Sequence, residues 1–182
     1  LEGSVPSFRA RESAFDDAYL INDVRSVKNN LRVKYIETVP SDDDIASDIR
    51  DILLWDADID SSKIEVNVDS GIATLKGTVD NYWKKYQAES DAENVLGVIT
   101  IINEIAVVPS KKQSDEQIAK DIEEAFERNM YIDPEQVDVK VHNNKVELTG
   151  QLPGWSVRRE VVNSAFYTPG VVDVDDSGLV IV

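Results

Sequence analysis

The most chemically suggestive residues of this chain are acidic. Asp56, Asp58 and Asp60 alternate along a short segment, as the ligands of a calcium loop do. An EF-hand loop also needs Gly at its sixth position and Glu at its twelfth, where this chain has Ser61 and Asn67. The segment therefore favours a solvated acidic turn over an EF-hand, and weak binding of a cation at the surface stays open.

Residue types that perform nucleophilic or acid–base catalysis are either rare or show no pattern that singles out a catalytic group. His142 is the only histidine, it falls in a predicted turn, and the chain has no cysteine. No Gly-rich phosphate loop occurs, and among 35 acidic residues nothing marks one carboxylate pair as buried. We therefore expect no enzymatic activity, no cofactor and no metal site.

Aromatic and cationic residues cluster at two equivalent places, each at the start of a predicted helix. An amphipathic ring beside a cation suits a lipid headgroup interface, so these residues are predicted to contact lipid or a partner. In the alternative interpretation, Tyr82 and Trp155 belong to the core and the cations are solvated. The clusters consist of Trp83, Lys84, Lys85, Trp155, Arg158 and Arg159.

The composition limits the partners. A net charge of −16 over 182 residues opposes nucleic acid binding, and it weakens attraction to anionic lipid, which depends on basic segments. No apolar run approaches the roughly 18 residues that a membrane span needs. Absence of cysteine fits both the cytoplasm and a disulfide-free periplasmic protein. Because Leu1 resembles the end of a strand and the first residues do not have the pattern of a signal peptide, we expect a fragment boundary there.

The elements that must position these residues form an internal repeat. Displacing the chain by 73 positions brings residues 45–98 onto residues 118–171 with apolar and glycine positions in register, and displacing the first residues by 74 aligns 1–33 with 75–107. The predicted domains are a partial repeat at 1–36 and complete repeats at 37–108 and 109–182.

Each complete repeat is predicted to run helix, strand, strand, helix, strand. Ser41 and Ser114 are helix caps followed by apolar residues at helical spacing. Residues 64–77 and 137–150 alternate apolar and polar residues around a turn that contains Ser-Gly or Asn-Asn, which predicts β-hairpins. The expected fold class is α+β, with a three-stranded mixed sheet covered on one face by two helices.

Together these residues resemble the BON domain family, which includes the osmotically inducible protein Y and multi-BON bacterial proteins. The resemblance depends on the capped first helix, on the pattern IDxxxIxVxVxxGxxTLxGxV at residues 59–79 with a weaker copy at 132–152, and on the helix-closing segments at 95–105 and 167–174. It implies the same fold, no catalytic residues, and association with phospholipid or envelope components in osmotic or other stress. The second copy departs from the pattern at Asn144.

The function expected from the resemblance is that of a non-enzymatic binding module of the bacterial envelope or stress response. It would associate with phospholipid or a membrane-associated protein and work in the periplasm, with the cytoplasm as the alternative. The net charge favours a second possibility, a protein-interaction or assembly adaptor without lipid contact. Because the partial repeat lacks its first helix and hairpin partner, we expect it to dock on a neighbouring repeat or to pair with another chain as a homo-oligomer.

Overall fold

The computed structural model describes residues 1–21, 24, 26–34 and 40–182, and within these residues the chain forms five α-helices and eight strands. The helices are α1 (Phe8–Tyr19), α2 (Asp42–Trp55), α3 (Tyr82–Glu93), α4 (Asp115–Arg128) and α5 (Trp155–Phe166). The strands are β1 (Glu2–Val5), β2 (Asn30–Val33), β3 (Ile64–Asp69), β4 (Ile72–Val79), β5 (Thr100–Val107), β6 (Val137–His142), β7 (Lys145–Leu152) and β8 (Asp173–Ile181).

The first compact unit contains residues Leu1–Val79 and Lys84–Ala106. It holds a parallel two-stranded sheet, β1–β2, and a three-stranded sheet of order β3-β4-β5 in which β3 and β4 form an antiparallel hairpin. Apolar residues of α2 and the central strand β4 are almost fully buried and form its core together with residues of α3, β5 and the segment between them. They include Ile45, Ile49, Leu53, Ala73, Leu75, Ala88, Ala92, Val98 and Ile105.

The second compact unit contains residues Asp80–Trp83 and Val107–Val182. Its sheet has the order β6-β7-β8, with β6–β7 antiparallel and β7–β8 parallel. α4 and α5 contribute to one core with Tyr82, whose ring makes an edge contact with Phe166 at 5.5 Å between centroids.

An aspartate in the first turn of the leading helix holds each hairpin turn. The two carboxylate oxygens of Asp42 accept the backbone N–H groups of Ser70 and Gly71 at 2.8 and 2.9 Å. Asp115 accepts those of Asn143 and Asn144, both at 2.8 Å. Each turn pair has positive φ, so Ser-Gly and Asn-Asn build the same two-residue turn and expose N–H groups to the helix.

The predicted α+β class and the helix-strand-strand-helix-strand order of both complete repeats are confirmed. The caps at Ser41 and Ser114 also form, since each hydroxyl accepts the N–H three residues on. Ile21 falls on buried Val95 when the first residues are displaced by 74, yet it is itself 62% exposed, so the partial repeat does not reproduce this core position. The repeat boundaries stay predictions; the compact units do not coincide with them, and the boundary at 36/37 lies outside the described residues.

Candidate interaction surfaces

The aromatic–cationic cluster predicted at the start of α3 divides between the two units. Trp83 belongs to the second unit, is half-buried, and its ring centroid lies 6.4 Å from that of Tyr167. Lys84 and Lys85 belong to the first unit and are also partly buried, and the carbonyl of Lys85 accepts the Asn103 side-chain amide at 2.9 Å. Partial burial of all three residues leaves little of this cluster to meet a flat lipid surface.

The equivalent cluster on α5 is organised around an internal ion pair. The Arg158 guanidinium lies 5.0 Å from the Trp155 ring centroid and 2.7 Å from the Asp176 carboxylate, and it also donates to the Asp176 carbonyl at 3.1 Å. Asp176 lies at an irregularity of β8, where the pairing with β7 shifts register between Glu147 and Thr149. The charge of Arg158 is therefore matched within the unit, whereas Arg159 is exposed.

The first unit exposes an apolar pair that the sequence patterns did not single out. Trp55, the last residue of α2, is 85% exposed, and Leu54 beside it is also exposed. Leu53 is buried on the inner face of the same helix turn. Successive residues of a helix point about 100° apart, so Leu54 and Trp55 turn away from the core that Leu53 enters. We call Leu54 and Trp55 the first-unit tip.

The second unit has a similar pair just after its leading helix. Met130 is 87% exposed and Tyr131 is exposed beside it, directly after the α4 cap residue Asn129. We call Met130 and Tyr131 the second-unit tip. Each complete repeat thus exposes a pair of large apolar side chains at or just after the carboxyl end of its first helix. One pair contains an indole and the other a thioether, and both groups make favourable contacts with apolar surfaces.

The surroundings of the first-unit tip are acidic. Asp51 lies one helical turn before Trp55, and Asp58 follows in the next turn of chain; both are exposed. Asp60 is paired with Lys63 at 2.8 Å, and this pairing and its hydrogen bonds hold the pKa of Asp60 below its usual value. The tip therefore offers apolar area with a negative rim.

Two carboxyl groups meet behind the first-unit tip. Burial, together with the hydrogen bond and negative charge of Asp56, the α2 cap residue, raises the pKa of Asp91, on α3, to about 6, whereas a hydrogen bond from Gln87 acts in the opposite direction. Oδ2 of Asp91 is buried with no hydrogen-bond donor among the described residues. Protonation of Asp91 provides a donor for a hydrogen bond to Asp56, so this contact depends on pH.

The equivalent contact in the second unit is an amide–carboxylate hydrogen bond. Asn129 stands where the first unit has Asp56, and its Nδ2 donates to Glu160 at 3.1 Å. Glu160 stands where the first unit has Gln87. The two repeats therefore join the end of the first helix to the second helix differently, with two carboxyl groups in the first repeat and an amide–carboxylate hydrogen bond in the second.

The suggested calcium loop is an acidic turn in which the carboxylates of Asp56 and Asp60 already accept local hydrogen bonds. The Asp56 carboxylate accepts the Asp58 N–H at 2.8 Å, and Asp60 accepts the Ser62 hydroxyl at 2.6 Å. Within residues 1–21, 24, 26–34 and 40–182, no three His, Asp or Glu side chains come close enough to hold a metal ion. His142 is exposed, and it is the last residue of β6, directly before the turn in which it was predicted to lie.

An open cavity of about 580 Å³ lies between α4 and α5 in the second unit. Ser164 lines this cavity from α5, and its hydroxyl donates a hydrogen bond to the Glu160 carbonyl at 2.9 Å. Glu124 in its wall is within 4 Å of both Lys120 and Arg128. These contacts stabilise helices and do not activate a nucleophile, because a catalytic serine needs a base within hydrogen-bonding distance.

A signal for the first-unit tip was present in the sequence. Buried Ile45, Ile49 and Leu53 recur at helical spacing, and Leu54 and Trp55 interrupt that pattern by placing large apolar side chains on the polar side of α2. Amphipathic periodicity predicts which face is buried. Residues that break it on the solvated side are the ones to inspect for contact with a partner.

The sequence profile of the BON domain matches residues 41–109 and 114–182. The chain belongs to the BON domain family. Both complete BON repeats carry the hairpin, the clamping aspartate and an exposed tip, so these features lie inside the matched segments. No curated protein matches the chain.

Two solved structures are similar over most of their length at low identity. One is described as CdsD, a structural protein of the type III secretion system of Chlamydia trachomatis, with 14% identity, coverage of 99% of this chain and 78% of that chain, and a TM-score of 0.32. The other is the CdsD C-terminal domain, with 15% identity, coverage of 98% and 82%, and a TM-score of 0.31. TM-scores of this size carry no inference about the function of the BON repeats.

Proposed function

We propose that this chain is a non-enzymatic binding module of the bacterial envelope that associates with phospholipid through its exposed tips. The observation that supports the proposal most is Trp55, whose indole is 85% exposed at the end of α2 with Leu54 beside it. An indole ring is stable at a lipid–water interface because it has an apolar body and a polar N–H. The described helices include none that is long and apolar enough to cross a membrane, so the association is peripheral.

The charge around the tip predicts which lipid is preferred. Asp51 and Asp58 flank the apolar pair, and the whole chain carries −16. Anionic headgroups repel such a surface at low salt, and the repulsion is screened as the Debye length falls to about 8 Å near physiological ionic strength. Binding driven by apolar insertion is therefore strongest with zwitterionic vesicles and depends little on salt there.

Vesicle co-sedimentation tests the proposal. Trp55→Ala should weaken partition onto phosphatidylcholine vesicles by about thirtyfold, because it removes an apolar contribution of about 2 kcal/mol. The matched control is Ile102→Ala, which shortens an exposed apolar side chain on β5 outside the tip. Equal partition of the parent protein and Trp55→Ala, or loss with both variants alike, would contradict a tip-mediated contact.

The predicted sites on α3 and α5 remain part of this proposal in a reduced role. Arg159 is exposed, but the charge of Arg158 is matched by Asp176 at 2.7 Å. Arg159→Ala should therefore change partition onto anionic vesicles less than Trp55→Ala changes partition onto neutral ones. A larger effect of Arg159→Ala would transfer the lipid contact from the tip to the predicted α5 cluster.

A protein-interaction adaptor is the second candidate function, and the acidic rim favours it. Apolar area surrounded by negative charge fits a partner with an apolar socket and basic edges, because complementary charge speeds encounter and selects partners. Vesicle assays separate the two candidates: an adaptor without lipid contact would not partition onto any vesicle. The proposed compartment is the periplasm, with the cytoplasm as the alternative, and fractionation of the native protein distinguishes them.

A further inference from the structure

The second-unit tip carries the only sulfur atom of the chain. The 182 residues include one methionine and no cysteine, and that methionine, Met130, is 87% exposed. Tyr131 beside it is 67% exposed. A dissolved oxidant that attacks sulfur therefore meets a single thioether, and this thioether lies in solvent.

The turn that presents Met130 is held by hydrogen bonds around Asn129. The Asn129 N–H donates to the Phe126 carbonyl at 3.0 Å, and its side-chain oxygen accepts the Tyr131 N–H at 3.0 Å. The Asn129 carbonyl accepts the Ile132 N–H at 3.1 Å. Phe126 and Ile132, which precede and follow the turn, are buried. The exposed side chain of Met130 therefore extends from an ordered turn that is anchored in the core on both sides.

The fold does not need a large side chain at this position. Displacement by 73 residues places Ala57 on Met130 and Ile59 on Ile132. Ala57 is exposed and Ile59 is buried, so the first repeat reaches its buried isoleucine with only a methyl group at the exposed position. Met130 therefore contributes apolar surface for a contact outside the core, and a chemical change at its sulfur leaves the core intact.

We propose that Met130 is an oxidation-sensitive contact residue, and that conversion of its thioether to the sulfoxide weakens the association of the second unit with phospholipid. This role rests on the proposed function, in which the exposed tips contact the lipid. A thioether is apolar and polarizable, whereas a sulfoxide is polar. Oxidation therefore removes apolar contact area from the tip without unfolding the unit.

The oxidant belongs to the peroxide class. The sulfur lone pair of Met130 attacks one peroxide oxygen, the S–O bond forms as the O–O bond breaks, and hydrogen peroxide leaves as water. Sulfur loses two electrons and the peroxide gains them, so the step needs no further reactant. Methionine sulfoxide reductases restore the thioether; the reductant is a dithiol, which becomes a disulfide, and the oxygen leaves as water.

Oxidation leaves the charge of the protein unchanged. The net charge stays at −16, so repulsion from anionic headgroups is the same in both forms. The weakening of the association is therefore independent of salt, unlike an electrostatic effect. Trp55 on the first-unit tip retains its own exposed indole, so oxidation of Met130 lowers partition without abolishing it.

Peroxide treatment of the full chain, followed by co-sedimentation with phosphatidylcholine vesicles, tests the proposal. Mass spectrometry should show one added oxygen atom, placed at Met130 by peptide mapping. We expect the oxidised protein to partition about fivefold more weakly than the untreated protein at low and at high salt, and methionine sulfoxide reductase with dithiothreitol to restore partition. The unfolding temperature should be the same in both forms, because the buried neighbours Phe126 and Ile132 are not oxidised.

Two variants assign the effect to the sulfur of Met130. Met130→Leu keeps an apolar side chain of similar size without sulfur, so its partition should be the same before and after peroxide. Met130→Gln introduces a polar group of similar length and should lower partition about fivefold without peroxide. A loss in peroxide-treated Met130→Leu as large as in the parent would assign the effect to another residue and overturn the proposal.

The outcomes also distinguish this role of Met130 from the proposed function. Equal partition of the oxidised and untreated parent, together with weaker partition of Trp55→Ala, would refute the role of Met130 and leave the lipid association standing. No partition of the untreated parent onto any vesicle would refute both. A lower unfolding temperature of the oxidised protein would also refute the role of Met130, because the loss would then come from unfolding.

Discussion

At the scale of single residues, the two BON repeats differ most informatively behind their tips. The first repeat joins its helices with Asp56 and Asp91, where the second uses Asn129 and Glu160. Asn129 also accepts the Tyr131 N–H at 3.0 Å, as Asp56 accepts the Asp58 N–H at 2.8 Å. Asparagine thus performs the capping role of Asp56 while donating across the contact instead of repelling.

Asp56→Asn should stabilise the first unit at neutral pH. A folded pKa raised from 3.8 to about 6 means that the folded state binds the proton of Asp91 more tightly than the unfolded state. That contribution to stability is full below about pH 4, declines as pH rises through 6, and is absent above it. The asparagine variant removes the repulsion, so its advantage over the parent should grow between about pH 4 and 7.

Hydrogen exchange of α2 and α3 amides, with carboxyl NMR titration of Asp91, measures this effect. Asp51→Asn is the control, since it makes the same charge change on an exposed residue of α2. An Asp91 pKa that remains near 6 in Asp56→Asn would show that burial alone sets it.

At the scale of elements, the aspartate that joins the leading helix to the hairpin turn is the contact to test. Hydrogen bonds from the Asn144 and Asn143 N–H groups hold the pKa of Asp115 below its usual value. A depressed folded pKa contributes stability that is present above about pH 4 and is lost as pH falls below it. Asp115→Ala should lower the urea midpoint of the second unit at pH 7, and the deficit should shrink below about pH 4.

Glu116→Ala is the matched control for that prediction. It removes one negative charge from the same first turn of α4, and Glu116 is exposed. If both variants lose the same stability, the helix dipole accounts for the effect and the clamp on the turn does not.

Local sequence patterns predicted the individual helices and hairpins. Alternation of apolar and polar residues predicted the hairpins, and capping residues followed by apolar residues at helical spacing predicted the helices. Both succeed because hydrogen bonding and burial within one segment determine these elements. Contacts between elements were missed. Asp42 to Gly71 and Arg158 to Asp176 join residues far apart in sequence, and a pairing of Asp56 with Asp91 has no signature in a chain this acidic. The aromatic and cationic residues at 83–85 and 155–159 were located correctly on helix starts, but their burial and pairing depend on packing.

At the scale of the whole molecule, the most important property is the net charge of −16, which follows from the sequence alone. Self-repulsion of an excess charge destabilises a folded state. Ion pairs that oppose it in the described part of the chain include exposed ones such as Lys76 with Glu104 at 2.9 Å, and exposed pairs contribute little to stability. Repulsion should therefore exceed attraction in the folded chain.

Raising monovalent salt from about 10 to about 200 mM should raise the Tm of each unfolding transition, because screening to about 8 Å weakens the long-range repulsion more than the short ion pairs. Differential scanning calorimetry in NaCl measures the shift, and CaCl₂ at equal ionic strength is the comparison. Equal shifts in Tm indicate screening alone. A larger shift with calcium would support weak cation binding at the acidic turn of residues 56–60. A fall in Tm with NaCl would mean that the ion pairs outweigh the repulsion, and the charge-based preference for neutral vesicles would then lose its physical basis.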